Sequence, residues 1–353
     1  MTNQRPKVLL VCDERVRNSY IAPEQIERLE SFADWDWHEA TGGGIYEVGD
    51  DAERAAKLAG LMDDVQGLIL CHGAPTVDKR VLEKASNLKI IGELEGDRFA
   101  NRIDVQAAWD QGVRVVDTTN GSSYPVAEWA LGLILVAMRN AGARFREMIS
   151  GQVKAAQAAR SQTHGVLSGK RVGLIGCGHI GRRLIDFLRP FRADIWVHDP
   201  YLPAEIVDIL GVLQTSLDQL LEQCDVIVCL APLTPGTQGM MGKRELELIK
   251  PGATLVNVSR GAIFDSAALI ERLRRGGINA GLDVFDPEPF PDDSEILQMP
   301  NVFVSPHFAG LTGDSYPHFF PLMVDEFERF FNGHETRFDL TPRSLANRRG
   351  DDV

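Results

Sequence analysis

Residues 170–199 read KRVGLIGCGHIGRRLIDFLRPFRADIWVHD and carry the strongest fold signal in the chain. An apolar strand over 172–175 leads into Gly176, Gly178 and Gly181, which are spaced as GxGxxG, and apolar residues then recur at helical spacing. The first glycine permits a tight turn, the second lets the backbone approach a pyrophosphate, and the third lets the helix pack on the strand. The helix N-terminus offers free N–H groups to the phosphates. The stretch therefore predicts a dinucleotide site. The alternative is a structural turn, since glycine pairs also end helices and form hairpins.

A second predicted strand, over 194–198, ends in Asp199. This carboxylate follows Gly181 by 18 residues, where it could accept hydrogen bonds from both hydroxyls of an adenosine ribose. It would repel a ribose 2′-phosphate. The sequence therefore predicts NAD rather than NADP as the cofactor.

The composition is that of a soluble globular protein with room for two domains. The chain has 353 residues, of which 44% are hydrophobic and 25% are charged. A net charge of -13 argues against a general nucleic-acid or anionic-membrane binder, so we expect a small-molecule partner, no nucleic acid and no membrane. The N-terminus enters a strand without an apolar signal core, and the longest apolar run, 129–138, is shorter than the roughly 20 residues that span a bilayer. We expect a cytoplasmic protein.

The cysteines indicate a reducing compartment and no metal site. They are odd in number and scattered, and most lie within or beside apolar strands, as buried free thiols do. Cys224 and Cys229 lack the tight paired spacing of a zinc site. The five are Cys12, Cys71, Cys177, Cys224 and Cys229.

Alternating strands and helices predict an α/β fold of two Rossmann-like or flavodoxin-like domains, each with a doubly wound parallel sheet, and an active site in the cleft between them. Residues 1–120 and 306–340 are predicted to form a discontinuous substrate-binding domain, because the apolar helix over 319–331 returns to the first sheet. Residues 121–305 form the NAD-binding domain, and 341–353 a frayed polar tail. The predicted strands are 7–12, 67–71, 88–92 and 113–117, then 172–175, 194–198, 226–230, 254–257, 279–283 and 302–305.

Three polar residues, Arg260, Glu288 and His307, follow strands of the second series. Ligands bind at the carboxyl ends of the strands in open α/β sheets, so the three can converge on one crevice. His307 can exchange a proton with a substrate oxygen during hydride transfer, Glu288 can orient the imidazole and favour its protonated form, and Arg260 can pair with a substrate carboxylate. Asp283 is placed to contact the nicotinamide end of the cofactor. Taken singly, each has a structural alternative: a surface charge, a solvated loop carboxylate or a capping imidazole.

Motifs along the chain resemble the D-isomer-specific 2-hydroxyacid dehydrogenase family from residue 7 to about 340. They are VAE at 126–128, GKRVGLIGCGHIGRRL at 169–184, APLTPGTQGMMG at 231–242, NVSRGAIFDSAAL at 257–269, GLDVFDPEP at 281–289 and SPHFAG at 305–310. The resemblance implies catalysis by Arg260, Glu288 and His307 and a homodimer built through the helices of 125–160. It also implies cofactor contacts at Gly176, Cys177, Gly178, His179, Ile180, Gly181, Asp199, Ala231, Pro232, Val258 and Asp283.

Two loops depart from the family pattern. The family's glycine-rich substrate loop is replaced by GELEGDRFANRID at 92–104, and its Asn-Thr-Pro-Gly-x-Asn loop by DTTNGS at 117–122. Charged and bulky side chains replace glycines that permit close backbone approach, which disfavours carboxylate binding by amides alone. We predict that Arg98, with Glu95, Asp97 and Asn120, lines a pocket for a larger polyhydroxylated or doubly anionic 2-hydroxy acid, with Arg260 as the further substrate contact. The alternative is that Arg98 and Asp97 simply pair with each other.

The resulting functional prediction is an NAD-dependent oxidoreductase that interconverts a D-2-hydroxy acid and its 2-keto acid. A formate- or phosphite-type dehydrogenase of the same fold is the second interpretation; family resemblance leads us to expect glutamine in place of Glu288 in the formate type. A non-catalytic NAD(H)-sensing module resembling a corepressor is the third, and the intact Arg260, Glu288 and His307 argue against it. The remaining histidines His72, His164, His179 and His318 are expected to have no catalytic role.

Overall fold

The computed structural model describes residues 5–42, 52–95, 102–159, 165–310 and 318–349. The chain forms two compact units. The first contains the described residues up to Ser122 and those from 318 to Arg348, and the second runs from Ser123 to 310. Each is built on a parallel sheet with flanking helices, which confirms the predicted α/β fold with two doubly wound sheets.

The first sheet has five parallel strands in the order β2-β1-β3-β4-β5. This is the order of flavodoxin-like sheets, and it reverses between β1 and β3. The strands are β1 (Lys7–Cys12), β2 (Asp34–Glu39), β3 (Gly67–Leu70), β4 (Ile90–Glu93) and β5 (Arg114–Asp117). Their helices are α1 (Glu14–Ser19), α2 (Pro23–Phe32), α3 (Ala52–Ala59), α4 (Lys79–Leu82) and α5 (Val105–Asp110). Four of the strands were predicted. The edge strand β2 was not, because its sequence DWDWHE alternates acidic and aromatic residues rather than forming an apolar run.

The second unit contains a seven-stranded parallel sheet with the order β12-β11-β10-β9-β6-β7-β8. The order reverses at β6, so the turn after β6 lies at the topological switch point, where such sheets bind ligands. The strands are β6 (Arg171–Ile175), β7 (Asp194–His198), β8 (Leu213–Gln214), β9 (Val226–Cys229), β10 (Thr254–Asn257), β11 (Asn279–Leu282) and β12 (Val302–Val304). The six predicted strands are confirmed. The exposed two-residue edge strand β8 was not predicted.

The second unit begins with a long apolar helix, α6. In the described ranges, the helical stretch Thr119–Met138 is 20 residues long and apolar enough to cross a membrane by length and composition. The apolar run 129–138 that was identified from the sequence is therefore only the C-terminal half of this helical stretch. Half of the stretch is buried inside the protein, and α6 packs on α9 and on strands β10 and β11, as a core helix does. The helices of this unit are α6 (Ser123–Met138), α7 (Ala141–Ile149), α8 (Val153–Ala158), α9 (His179–Leu188), α10 (Ala204–Leu210), α11 (Leu217–Gln223), α12 (Lys243–Leu248) and α13 (Ser266–Arg274).

Two C-terminal helices, α14 (Phe319–Phe331) and α15 (Pro342–Arg349), complete the first unit. The apolar face of α14, with Phe320 and Phe327, packs among the buried residues of the first sheet. The prediction of a frayed tail from 341 is wrong for α15, because Leu345 is buried in the core of the first unit. Residues 350–353 lie outside the described ranges.

The predicted domain boundaries differ from the observed ones. The first boundary falls after Ser122 rather than after residue 120. Residues 306–310 belong to the second unit, not the first. The physical reason is that main-chain amides of this segment donate hydrogen bonds to Asp283, the residue that follows β11 in the second sheet.

Candidate active site

The glycine-rich turn follows β6 and depends on glycine for steric reasons. Gly176 has φ +94°, in the left-handed region that favours glycine. A Cβ at this position would lie 2.8 Å from the main-chain nitrogen of Ala231, which belongs to the segment after β9. Gly178 then caps the N-terminus of α9. The turn therefore brings the amide end of α9 against the carboxyl end of the sheet, where a pyrophosphate can approach main-chain N–H groups.

Asp199, directly after β7, is held at this turn by main-chain hydrogen bonds. Its Oδ2 accepts from the amide of Cys177 at 2.8 Å, and its Oδ1 accepts from the amide of Tyr201 at 3.0 Å. A carboxylate oxygen can accept more than one hydrogen bond, so both oxygens retain capacity for ribose hydroxyls. The glycine turn and this carboxylate together fit the phosphate and ribose parts of NAD.

Several predicted cofactor residues can contribute only through their main chain. The side chains of Cys177 and Ile180 are buried in the core of the second unit, as are those of Ala231 and Val258. Burial raises the pKa of the Cys177 thiol to about 11, so it is an inert thiol at neutral pH. Pro232 accepts a hydrogen bond from Thr237 Oγ1 at 2.6 Å through its carbonyl. In the same turn Gly181 packs closely on Gly176, and His179 is exposed as the first residue of α9.

The loop after β10 presents Arg260. Asn257 fixes this loop, because its Oδ1 accepts from the amide of Ser259 and its Nδ2 donates to the carbonyl of Arg260, both at 3.0 Å. A Cβ on Gly261 would lie 1.8 Å from the carbonyl carbon of Phe285. Glycine is therefore required for the loop that carries Arg260 to lie directly against the loop that carries Glu288.

Glu288 and His307 form a hydrogen-bonded pair. His307 Nδ1 lies 2.8 Å from Glu288 Oε2, and Glu288 Oε1 accepts from the amide of Phe285 at 2.9 Å. Burial acts to raise the pKa of Glu288, but the hydrogen bonds from His307 and Phe285 and the charges of His307 and Arg260 outweigh burial and lower this pKa. Because an ionised carboxylate only accepts hydrogen bonds, Nδ1 carries a proton, and Nε2 is the ring nitrogen that Glu288 does not engage.

The backbone at His307 adopts an uncommon conformation. Its φ is 50°, in the left-handed region, and its amide donates to the carbonyl of Asp283 at 2.8 Å. The Asp283 carboxylate is completely buried and accepts hydrogen bonds from the Ser305 hydroxyl and from the amides of Phe308 and Ala309. Asp283 thus anchors the loop that presents His307. Its contact with nicotinamide stays a prediction.

The substrate-binding prediction has a mixed outcome in the first unit. Arg98 and Asp97 lie outside the described residues. Glu95 follows β4, and its Oε2 accepts from the hydroxyl of Tyr20 at 2.6 Å and lies 3.3 Å from Nε2 of His72. Asn120 lies in the short 3-10 turn after β5, and its Oδ1 is buried without a hydrogen-bond partner in the described part of the chain.

Sequence reasoning missed two features of this edge of the first sheet. The first is the cluster of Tyr20, His72 and Glu95; the position of His72 just after β3 was the available signal, whereas Tyr20 offered none. The second is an ion pair between Glu93 Oε1 and Arg102 Nη1, at 2.5 Å, whose side chains are 0% and 1% exposed. Burial raises the pKa of the Glu93 carboxyl, against the opposing effect of Arg102. Part of the charge in the 92–104 segment therefore pairs internally.

The turn, Asp199 and the polar residues at the carboxyl edge of the second sheet define a dinucleotide-binding α/β protein. A family model described as "D-isomer specific 2-hydroxyacid dehydrogenase, NAD binding domain" matches residues 131–309. The chain belongs to the D-isomer specific 2-hydroxyacid dehydrogenase family, as its motifs predicted. NAD is the cofactor, which confirms that prediction.

Similar proteins support the family assignment, but they are named for different enzymatic activities. The chain is 33% identical over 269 residues to a D-3-phosphoglycerate dehydrogenase of Methanocaldococcus jannaschii, covering 75% of this chain but only 50% of that protein. It is 32% identical over 306 residues to a mitochondrial formate dehydrogenase of Solanum tuberosum, covering 85% and 79%. The apo D-mandelate dehydrogenase of Rhodotorula graminis shares the fold, with a TM-score of 0.81 and 21% identity over 96% of this chain and 98% of that one.

Proposed function

We propose that the chain is an NAD-dependent oxidoreductase that interconverts a D-2-hydroxy acid and its 2-keto acid by hydride transfer. The observation that carries the proposal is the pairing of His307 with an ionised Glu288 in the field of Arg260. The family assignment and the glycine turn at the switch point of the second sheet support it.

Bound NAD supplies a hydride acceptor, and the chain's own residues handle the proton and the substrate charge. In the oxidation direction the substrate hydroxyl loses its proton to Nε2 of His307. Glu288 stabilises the imidazolium that forms through its hydrogen bond to Nδ1. Arg260 pairs with the substrate carboxylate. In the reduction direction it also polarises the adjacent carbonyl, which makes the carbonyl carbon a better hydride acceptor. In the reverse direction Nε2 returns the proton.

A formate-type activity is the second candidate, favoured by the similarity to the Solanum tuberosum enzyme. Oxidation of formate yields carbon dioxide and a hydride, with no hydroxyl proton for a base to remove. A histidine paired with an ionised carboxylate is therefore better suited to a 2-hydroxy acid. Phosphite oxidation is a third candidate, and an NAD(H)-sensing role without turnover is a fourth.

The substrate is proposed to be polar or larger than lactate. Support comes from the polar cluster of Tyr20, His72 and Glu95 at the carboxyl edge of the first sheet, beside its switch point between β1 and β3. Asn120, with its buried Oδ1, is proposed as a further contact. Arg98 stays a proposed pocket residue; if Arg98→Ala leaves selectivity over a panel of 2-keto acids unchanged, it does not belong to the pocket.

The protein is proposed to act as a homodimer in the cytoplasm. Large apolar side chains on α7 and α8 are exposed within nine residues of one another in the sequence, and clustered apolar exposure of this kind favours a protein contact. They are Phe145 at 63% exposure, Met148 at 50%, Ile149 at 69% and Val153 at 39%. The five cysteines are free and buried, in keeping with a reducing compartment.

The test is loss of NADH absorbance on mixing with a panel of 2-keto acids that ranges from pyruvate to polyhydroxylated and dicarboxylic members. Turnover of at least one keto acid, with none of formate or phosphite in the presence of NAD, is the expected result. Turnover of formate or phosphite instead would establish the corresponding candidate. NADH binding without turnover across the panel would overturn the enzymatic proposal in favour of a sensor.

A further inference from the structure

The loop that presents His307 is connected to helix α6 by a continuous chain of hydrogen bonds. Trp129 on α6 donates from Nε1 to the hydroxyl of Ser305 at 3.0 Å, and Ser305 donates in turn to Oδ1 of Asp283 at 2.5 Å. The directions follow from the donors, because an indole nitrogen only donates and Ser305 is therefore left with its own proton to donate to Asp283. One serine hydroxyl therefore couples a helix to a buried carboxylate.

Asp283 is the point where this chain meets the backbone around His307. Its carbonyl accepts from the amide of His307, while its carboxylate accepts from the amides of Phe308 and Ala309 at 3.3 and 3.0 Å. Three successive amides thus end on one residue that is 0% exposed. A buried carboxylate is tolerated only when its hydrogen bonds are satisfied, so Asp283 and this loop depend on each other.

Trp129 makes a second contact with the same loop. Its ring packs on that of Phe308, with centroids 4.8 Å apart and planes at 52°. Trp129 thus holds one residue on each side of His307: Ser305 through its N–H group and Phe308 through its ring. A left-handed backbone conformation at a non-glycine residue is strained, and it persists where the surrounding contacts fix it.

We infer that Ser305 and Trp129 are positioning residues for His307. They hold the main chain of the histidine while Glu288 holds its ring, so that Nε2 has one direction in which to meet a substrate oxygen. Neither is proposed to contact the substrate or the cofactor. The predicted changes in kcat rest on the proposed function, whereas the predicted change in the position of the His307 ring does not.

The experiment compares the full-length Trp129→Phe and Ser305→Ala variants with wild type. Trp129→Phe keeps an aromatic ring against Phe308 but removes the N–H donor together with part of the indole, a loss of ring volume that the control below shares. Ser305→Ala breaks the chain at its centre. Trp196→Phe is the matched control, because its Nε1 donates to Asp194 at 3.2 Å in the same unit but away from His307. Ser305→Thr restores the hydroxyl. Melting temperatures establish that each variant is folded.

The expected result is a fall in kcat of about tenfold for Trp129→Phe and roughly a hundredfold for Ser305→Ala, since small misplacements of a catalytic group have effects of this size. The calorimetric Kd for NADH should stay within about twofold of wild type for both variants, because neither side chain is proposed to touch the cofactor. Ser305→Thr should recover most of the kcat. A kcat for Trp129→Phe equal to that of Trp196→Phe, or a loss confined to NADH affinity, would overturn the inference.

A readout without turnover separates this inference from the proposed function. The Cε1–H NMR resonance of His307, assigned by its loss in His307→Ala, reports the position of the ring in the resting protein. It should shift or broaden in Trp129→Phe and Ser305→Ala but not in Trp196→Phe. If wild type reduces no 2-keto acid, the proposed function fails and the resonance alone decides; an unchanged resonance in both variants then refutes positioning.

Discussion

The carboxyl edges of the two sheets hold their polar residues in different ways. In the second unit, main-chain groups contribute much of the support: Asp199 and Asp283 accept from backbone amides of neighbouring loops, and Glu288 accepts from a backbone amide of its own loop. In the first unit, side chains hold one another, as in the Glu93–Arg102 ion pair and the contact of Tyr20 with Glu95. A side chain held by backbone amides keeps its position as long as the loops keep their conformation. Side chains that hold one another can be replaced together by substitutions in the sequence.

This difference matches the roles proposed for the two edges. The second edge matches the family motifs residue by residue and would perform hydride and proton transfer. The first edge departs from the family's glycine-rich loop and would choose the substrate. Variants on each side can therefore show whether reaction and selectivity are separable in this way.

The largest effect is expected at His307, on the second edge. His307→Ala removes the acid and base, and kcat should fall by about 10³–10⁴-fold, near the upper end for loss of general acid–base catalysis. The calorimetric Kd for NADH should be unchanged. His334→Ala, at an exposed position in the first unit, is the control and should keep wild-type kcat. Loss of NADH binding would mean that His307 belongs to the cofactor site.

Local patterns made most of the second unit predictable. The GxGxxG spacing, the carboxylate after the next strand and the polar residues just past strand ends each depend on a few neighbouring residues. The Asp283 contacts were not predictable, because they join residues 22 to 26 positions apart through tertiary hydrogen bonds. For that reason 306–310 were assigned to the wrong unit.

In the first unit, the polar features were harder to predict from the sequence than the apolar strands. Its apolar strands were predicted, but the polar edge strand β2 was not. Tyr20 and Glu95 are 75 positions apart, and Glu93 and Arg102 are 9 positions apart in a stretch whose sequence shows no periodicity. Of the charged residues in the 92–104 segment, Glu95, Asp97 and Arg98 were predicted to line a substrate pocket, whereas the pairing of Glu93 with Arg102 was not predicted.

The next effect tests whether the first edge is held by its buried ion pair. Glu93→Ala removes the buried carboxylate that pairs with the Arg102 guanidinium, and the free energy of unfolding should fall by about 3–5 kcal/mol, measured by urea denaturation. Glu335→Ala is the control: Glu335 pairs with Arg114 but is 85% exposed, so its loss should cost less than about 1 kcal/mol. The double replacement Glu93→Met with Arg102→Met should recover most of the loss. Equal effects of the two single variants would contradict the role of burial.

A smaller effect is expected for cofactor choice on the second edge. Asp199→Ala removes the negative charge that opposes a 2′-phosphate, and the ratio of kcat/KM for NAD over NADP should fall by roughly tenfold to a hundredfold. Asp208→Ala, an equal charge change at an exposed position of α10, should leave this ratio unaltered. An unchanged ratio in both variants would remove Asp199 from the ribose contact.

Substrate choice on the first edge should respond to Tyr20→Phe. The change removes the hydroxyl that donates to Glu95, a hydrogen bond to a charged group worth about 1.5–3 kcal/mol. KM for the preferred 2-keto acid should rise severalfold while kcat stays close to wild type. Tyr124→Phe, at an exposed position in the second unit, serves as the control. A fall in kcat with constant KM would show that the two edges do not divide reaction from selectivity.

The smallest effect concerns the pH dependence of stability, and it tests the Glu288–His307 pair of the second edge. The folded-state pKa of Glu288 is lowered: burial opposes ionisation, but the hydrogen bonds from His307 and Phe285 and the charge of Arg260 outweigh it. A lowered carboxyl pKa stabilises the protein above the ordinary pKa of about 4.3, and this stabilisation is lost as pH falls through the lowered value. The free energy of unfolding of wild type, measured by urea denaturation, should therefore fall more between pH 6 and pH 3 than that of Glu288→Gln. The excess should be about 1 kcal/mol or less, because solvent screens this half-buried pair. Parallel curves would mean that His307 and Glu288 are not coupled in the folded protein, and the second edge would then lack the charge pairing on which its proposed chemistry depends.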